Sequence, residues 1–481
     1  MPFDWLAAPD YHLARLIVGR GLAVIYLVAF LVALRQFRPL LGEGGLLPTP
    51  AYLHAHTFRT SPSIFHFHYS DRALAAASWI GIAVSAALLI GLPQAGPLPL
   101  TMLAWLVLWA LYLSIVNVGQ TFYAFGWESL LCEAGFLAIF LGNDATAPPA
   151  LVLIGFRWLA FRVEFGAGLI KMRGDQCWRD LTCLDYHHET QPMPNPLSWY
   201  FHRVPKRLHR LEVLGNHVAQ LFVPFGLFMP QPVAGIAAAY MIATQLYLVV
   251  SGNYAWLNWV TIMAAAAALP DFLFSPILAI GPPAFDVQPV WYAAAVIGLA
   301  VVVVALSWWP VRNMLGPRQL MNASFNQLHI VNTYGAFGSV TRHRDEVVIE
   351  GTEEPTGTDE ATWREYEFKG KPGDPTRRPP QVAPYHLRLD WLMWFLPLSP
   401  GYGDVWFIRF VDRLLRNDPA ILGLLRRNPF AERPPAVIRA RLYRYRYTSW
   451  RERRRTGAWW VRQPIGEYLP PVALHETAAD G

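Results

Sequence analysis

The chain is organised around one polar connection, which reads Asp175-Gln176-Cys177-Trp178-Arg179-Asp180-Leu181-Thr182-Cys183-Leu184-Asp185-Tyr186-His187-His188-Glu189-Thr190-Gln191-Pro192-Met193-Pro194-Asn195-Pro196. Long apolar segments flank it, and it carries more ionisable, aromatic and proline residues than any other connection between such segments. Each proline fixes its own φ and restricts the residue before it. The run from Gln191 to Pro196 is therefore expected to be a stiff, extended loop that holds its neighbours in place.

The composition on either side of this connection indicates a membrane protein. Of the 481 residues, 54% are hydrophobic and only 15% are charged, and the mean hydropathy is +0.24, which is too apolar for an ordinary soluble chain of this length. The net charge of +6 conceals a division, because Arg and Lys crowd into the part after Arg312. We therefore expect a multi-pass transmembrane domain at residues 1–316 and a soluble C-terminal domain at residues 317–481.

Apolar runs close to the roughly 20 residues that span the hydrocarbon core predict about nine transmembrane helices. They lie at about residues 14–36, 72–92, 98–118, 127–142, 149–171, 211–229, 231–251, 254–270 and 288–309. Their alternation places the connections 35–72 and 172–210 on the same side of the membrane as the tail. Both connections are basic, so a count of positive charges would put that side in the cytoplasm.

In the tail, apolar and polar residues alternate as they do in strands. Strands are predicted at residues 327–334, 346–351, 363–369 and 439–448. In the last of them Tyr443, Tyr445 and Tyr447 are expected on one face, and Arg444 and Arg446 on the other, solvated face. The predicted fold is mainly α, a polytopic bundle of about nine helices with a β-rich C-terminal domain.

Polar residues recur inside the predicted spans, where their burial costs free energy and where they are often functional. Helix by helix, they are Glu128 and Glu133; Glu164 and Lys171; and His209, Glu212, Asn216 and Gln220. Glu164 and Lys171 are seven residues apart, so they fall near one helical face. Two interpretations stay open: hydrogen bonds that only join the helices, or a substrate or proton site in which Lys171 acts as a base.

The polar connection itself matches few known patterns of functional residues. Cys177 and Cys183 are candidates for a disulfide in an oxidising compartment. The histidines and carboxylates from Asp185 to Glu189 match no zinc spacing, and alternate residues of an extended loop face apart, so no metal is expected. The chain also lacks a nucleophile elbow, a P-loop and a dinucleotide fingerprint, and no cofactor is expected.

The sequence resembles the lipase maturation factor family. The resemblance is carried by Asp175–Thr182 and Asp185–Pro194, which are quoted above. Further matches are Ser251-Gly252-Asn253-Tyr254, Asn332-Thr333-Tyr334-Gly335-Ala336-Phe337-Gly338 and Leu389-Asp390-Trp391. The similarity runs from about residue 61 to residue 471.

The resemblance implies a membrane protein that assists the folding and assembly of secreted lipases such as lipoprotein lipase, without an enzymatic activity of its own. It implies the endoplasmic reticulum membrane in a eukaryote, or the inner membrane in a bacterium, with the tail on the lumenal or periplasmic side against the charge count. The functional residues of the connection would be Asp175, Trp178, Arg179, Asp180, Asp185, His187, Glu189 and Gln191. Trp391, Trp394 and Phe395 would contact the client.

A weaker resemblance, to the membrane domain of vitamin K-dependent γ-carboxylase, is carried by Ala167-Gly168-Leu169-Ile170-Lys171-Met172. It implies an alternative, an intramembrane enzyme that acts on a lipid-soluble small molecule with Lys171 as base and Glu164, Glu128 or Glu133 beside it. The residues after Met172 depart from that enzyme's pattern, so a quinone-type cofactor is not supported. The expected partners are membrane lipid and a lipase-like client, and nucleic acid is not expected.

Overall fold

Helices make up most of the chain in the computed structural model, which describes residues 4–274, 283–398 and 403–474. The α-helices before the tail are α1 (His12–Leu41), α2 (Thr49–Ala55), α3 (Asp71–Ile90), α4 (Leu98–Val118), α5 (Gly126–Ala138), α6 (Ala150–Arg173), α7 (Gln176–Arg179), α8 (Leu184–Thr190), α9 (Ser198–His202), α10 (Lys206–Leu221), α11 (Val223–Gly226), α12 (Val233–Ser251), α13 (Leu257–Ala266) and α14 (Val290–Leu315). Within the described residues, five of them are long and apolar enough to cross a membrane, namely α1, α3, α4, α12 and α14.

The predicted count of nine spanning helices is not confirmed. The other predicted runs also form helices, but α5 has 13 residues and α13 has 10. The 24-residue helix α6 contains the buried charged side chains of Arg162, Glu164 and Lys171. An apolar run in the sequence therefore marks a helix here, but its length and polarity decide whether that helix resembles a membrane span.

Helix α1 lies in the core of the bundle, and α5 packs closely against it. Tyr26 of α1 is fully buried, and its hydroxyl donates to the Leu131 carbonyl at 3.0 Å. The two helices come this close because Gly135 faces the tyrosine, and a Cβ at that position would collide with the hydroxyl group. This packing fixes the position of the two buried glutamates of α5.

The tail is built on a four-stranded antiparallel sheet in the described residues, with the strand order β2-β1-β3-β4. The strands are β1 (Arg344–Thr352), β2 (Arg364–Glu365), β3 (Val437–Tyr447) and β4 (Trp460–Ala473). In the parts of the tail that the structure describes, four short α-helices accompany the sheet: α15 (Arg388–Phe395), α16 (Val405–Leu415), α17 (Pro419–Leu422) and α18 (Trp450–Thr456). Residues 399–402 and 475–481 of the predicted C-terminal domain lie outside the described residues.

Strands β1 and β3 form close to their predicted positions. Tyr445 and Tyr447 are each 1% exposed and Tyr443 is partly buried, whereas Arg444 and Arg446 form partly exposed ion pairs. The predicted two-faced strand is therefore confirmed for Tyr445 and Tyr447. The strand predicted at 363–369 is reduced to two residues. Strand β4 was not predicted from the sequence. It contains three prolines, which an edge strand tolerates.

The strand predicted at residues 327–334 was wrong. His329 and Val331 have φ angles of 52° and 54°, which no strand accommodates. Alternating polarity misleads here because the segment packs irregularly against the bundle. The side chain of Asn117, at the end of α4, donates to the Gln327 carbonyl at 3.0 Å.

The connection after α1 and the polar connection both meet the tail at one end of the bundle. Arg409 and Arg413 of α16 donate to the carbonyls of Leu46 and Gly44 at 3.0 and 2.8 Å. Just after the polar connection, in α9, the indole of Trp199 donates to a carbonyl of the tail at 3.0 Å. The three regions therefore meet at one end of the bundle, and their shared side of the membrane stays a prediction.

Candidate functional site

A cavity of about 600 Å³ lies at this end of the bundle, where the helices, the polar connection and the tail meet. Its wall is predominantly apolar and includes residues of α6, α8, α10, α12, α13 and α15. The predicted site residues that line it are Glu164, Lys171, Trp178, His187, Trp391, Trp394 and Phe395. A cavity of this size with a few convergent polar groups is the usual form of a binding site.

Lys171 and Glu164 are joined through amide side chains. Lys171 Nζ donates to Gln220 Oε1 at 2.9 Å, and Gln220 Nε2 donates to Glu164 at 3.1 Å. Gln245 donates to the same carboxylate at 2.6 Å and accepts from Asn258 at 2.7 Å. These five side chains form one hydrogen-bonded network that connects α6, α10, α12 and α13.

The other two predicted glutamates do not line the described wall of the cavity. Glu128, which is fully buried, pairs with Arg388 of the tail at 2.8 Å. Glu133 pairs with Arg162 and accepts a hydrogen bond from the Tyr334 hydroxyl at 2.8 Å. Both carboxylates therefore connect the bundle to the chain that follows α14.

The first part of the polar connection begins with a capped turn. Asp175 accepts a hydrogen bond from the backbone N–H of Cys177 at 3.0 Å and pairs with Arg342 at 2.8 Å. The Arg342 guanidinium lowers the pKa of Asp175 to about 2, so this carboxylate is ionised at physiological pH.

The sulfur atoms of Cys177 and Cys183 lie in bonding contact, with Cα atoms 4.8 Å apart. The Trp178 indole donates to a carbonyl of the tail at 2.8 Å.

The middle of the connection is helical, and the expectation of extended backbone from Asp185 to Glu189 was wrong. These residues belong to α8, so their side chains follow a helical period instead of alternating. Asp185 pairs with Lys206 at 3.3 Å on the surface. Arg179 is exposed and donates to two backbone carbonyls near the end of α6, and Asp180 is exposed as well.

The bundle holds the proline-rich part of the connection through Gln191, which is 2% exposed. Its amide nitrogen donates to Ser198 Oγ at 2.9 Å and to the Ser251 carbonyl at 3.0 Å. Its amide oxygen accepts from the Tyr254 hydroxyl at 2.6 Å. The same hydroxyl lies 2.9 Å from Nε2 of His187, and burial lowers the pKa of this imidazole to about 3.

The tail holds the same segment from the other side. Arg344 of β1 donates to the carbonyls of Glu189, Gln191 and Pro192 at 3.1, 2.5 and 3.1 Å. The Glu189 carboxylate accepts from the backbone N–H of Tyr447 in β3 at 2.6 Å. The connection is therefore fixed between the helical bundle and the sheet.

Three of the residues that position this site were not singled out as site residues from the sequence. Asn253 donates to the carbonyls of Pro194 and Pro380 at 3.1 and 3.0 Å, so it ties the connection to the tail. It was quoted only within a family motif, and that was the available signal. Arg344 and Arg388 are buried, but in the sequence they look like every other arginine of a basic tail.

Two family models match the two parts of the chain that form this site. The model of the lipase maturation factor transmembrane domain matches residues 13–276, and the model of the lipase maturation factor C-terminal domain matches residues 330–470. The chain belongs to the lipase maturation factor family. The family suggested by the motifs is thereby confirmed, and the family's transmembrane domain together with five candidate spans indicates a membrane protein.

Several lipase maturation factors resemble the chain over nearly its full length. Lipase maturation factor 1 of Bos taurus is 41% identical over 515 residues, which cover 98% of this chain and 91% of the bovine protein. Its counterpart in Homo sapiens is 42% identical over 97% of this chain and 89% of the human protein. Lipase maturation factor 2 of Homo sapiens is 27% identical over 96% of this chain and 83% of that protein. No solved structure matches the chain.

Proposed function

We propose that this chain assists the maturation of a secreted, lipase-type client protein. The observation that carries the proposal is the 41–42% identity, over nearly the whole chain, to proteins named lipase maturation factor 1. The polar connection is fixed between the bundle and the sheet, so it presents a rigid surface to a client instead of a mobile loop. This arrangement supports a folding factor. The role needs no reaction at Lys171.

The proposal includes a placement in the membrane. The bundle crosses the membrane several times, with the domain division at residue 316. The helices α5, α6, α10 and α13, which are shorter or more polar than the five candidate spans, complete the membrane domain. The polar connection and the tail then face the endoplasmic reticulum lumen or, in a bacterium, the periplasm. The contact between the sulfurs of Cys177 and Cys183 supports this side, because disulfides persist in oxidising compartments.

The client surface that we propose lies at the mouth of the cavity on α15. Phe395 is 40% exposed, whereas Trp391 is 4% exposed and packs among aromatic residues of the bundle. Trp394 is partly buried, and its indole donates to the Thr190 carbonyl at 3.2 Å. In this arrangement Phe395 contacts the client, and the two tryptophans support it.

The alternative of an intramembrane enzyme rests on one observation, the presence of Lys171 and Glu164 in the wall of the cavity. The surroundings of the lysine favour the first proposal. Its ammonium group has amide oxygens of Gln220 and Asn216 at 2.9 and 3.4 Å and lies 4.6 Å from the ring centre of Trp178. Such a set of partners is typical of a cation that joins helices.

Deletion of the gene is expected to lower the active yield of an exported lipase several-fold without lowering its transcript. The reason is that a folding factor acts on the polypeptide after its synthesis. The measurement is secreted lipase activity and lipase transcript in native and deletion strains. Unchanged activity of every exported lipase would contradict the proposed function.

The same strain separates the two proposals for Lys171. Lys171→Met keeps the apolar stem and removes the charge, so we expect it to restore lipase yield in proportion to the amount of chain that accumulates. Arg173→Met, which removes an exposed neighbouring cation, is the matched control. Normal accumulation of Lys171→Met without any restored yield would favour the enzyme.

A further inference from the structure

A cluster of side chains that could bind a metal lies where α8 and α10 meet. His188 of α8 and His209 and Glu212 of α10 each place one ligand atom within 4.8 Å of the other two. Both histidines are 1% exposed. The spacing of three residues puts His209 and Glu212 on one face of α10, where the Nδ1 atom of His209 lies 2.8 Å from Glu212 Oε2.

The histidines of this cluster lack hydrogen-bond partners. In the part of the chain that the structure describes, neither ring nitrogen of His188 has a partner, and Nε2 of His209 has none. Nearly all buried polar side-chain atoms in folded proteins have a partner, and an exception calls for an explanation such as an ion. Three imidazole nitrogens are thus buried together without protein donors or acceptors.

The donor set fits zinc. Two imidazole nitrogens and one carboxylate oxygen are a known three-ligand set for Zn²⁺, which binds such donors at about 2.0–2.2 Å and takes a fourth ligand from outside the protein. Small side-chain rotations would bring donors that are within 4.8 Å of each other to these distances. His188 and Glu212 also line the cavity, so the fourth coordination position would face it.

We propose that His188, His209 and Glu212 bind a zinc ion at the wall of the cavity. The site goes beyond a maturation role, which requires no metal. It was not expected from the sequence because His188 was compared only with its neighbours in the connection. Its partners lie on the following helix, which only the fold brings next to α8.

The test is the metal content of the full chain, purified in mild detergent with an affinity tag that contains no histidines. After incubation with Zn²⁺ and removal of unbound metal, elemental analysis is expected to find about one zinc per native chain. His188→Gln and His209→Gln are expected to weaken zinc binding by at least about tenfold. His217→Gln, which changes another buried histidine of α10, is the control and should keep the zinc.

A second measurement does not depend on whether the variants fold. Titration of the native chain with Co²⁺ in place of zinc is expected to produce the visible absorption bands of a tetrahedral site, and Zn²⁺ should abolish them. The proposal is overturned if the native chain retains no zinc and gives no such bands. Equal zinc content in the native chain and in folded His188→Gln would also overturn it, because the metal would then bind elsewhere.

Discussion

Arg344→Met is expected to lower the free energy of unfolding by about 3–5 kcal/mol and to release the polar connection from the tail. The guanidinium is buried, pairs with Glu346 at 2.6 Å and donates hydrogen bonds to three carbonyls of the connection. Its removal leaves those carbonyls without this donor. Glu346 then still pairs with Lys371, at 3.0 Å. The measurements are unfolding in detergent and the rate of proteolysis within the connection.

Arg342→Met supplies the matched control for this experiment. Arg342 precedes β1 and also pairs with the connection, through Asp175, but its side chain is 40% exposed. An exposed pair contributes about 0–1 kcal/mol, so this variant should unfold and be cleaved almost like the native chain. If the two substitutions had equal effects, the buried hydrogen bonds of Arg344 would not be what holds the connection.

Arg388→Met is the second substitution with a large expected effect, again about 3–5 kcal/mol of unfolding free energy. Arg388 Nη1 lies 2.8 Å from Glu128, and both side chains are fully buried. The single substitution leaves the glutamate as an uncompensated buried charge. Because the pair joins α15 of the tail to α5 of the bundle, its loss is expected to weaken the attachment of the two domains.

A double-mutant cycle distinguishes this charge effect from a simple loss of packing. Glu128→Gln combined with Arg388→Met removes both charges and is expected to recover a large part of the lost stability. Arg416→Met, which breaks a solvent-exposed pair with Asp412, is the surface control and should leave unfolding unchanged. If the losses of unfolding free energy caused by Glu128→Gln and Arg388→Met simply added in the double variant, the explanation by an unpaired charge on Glu128 would be contradicted.

The periodic parts of the fold could be predicted from the sequence because they depend on neighbouring residues. Strands β1 and β3 followed from alternation, and the shared orientation of Glu164 and Lys171 followed from their spacing. The family followed from the motifs of the polar connection. These signals are local, and the structure retains them.

The partners of the buried charges could not be predicted, because they lie far apart in the chain. The hydrogen bonds of Glu128 and Arg388, and those of Arg344 and the connection, require the tail to fold back onto the bundle. The helix α8 was missed because its polar residues and the prolines that follow favoured extended backbone. That error also concealed His188, whose partners in the proposed metal site lie on α10.

The central claim is that the bundle fixes the polar connection and the tail on one side of a membrane. Single cysteines can be placed in the first turn of α10, just after the connection, by Arg207→Cys, in the tail by Arg455→Cys and at the opposite end of the bundle by Ala95→Cys, all at exposed positions. The native chain is the blank, because its cysteines are buried. In sealed vesicles, a membrane-impermeant maleimide is expected to label the first two variants from the same side and the third from the other. Labelling of Arg207→Cys and Arg455→Cys from opposite sides would contradict the account.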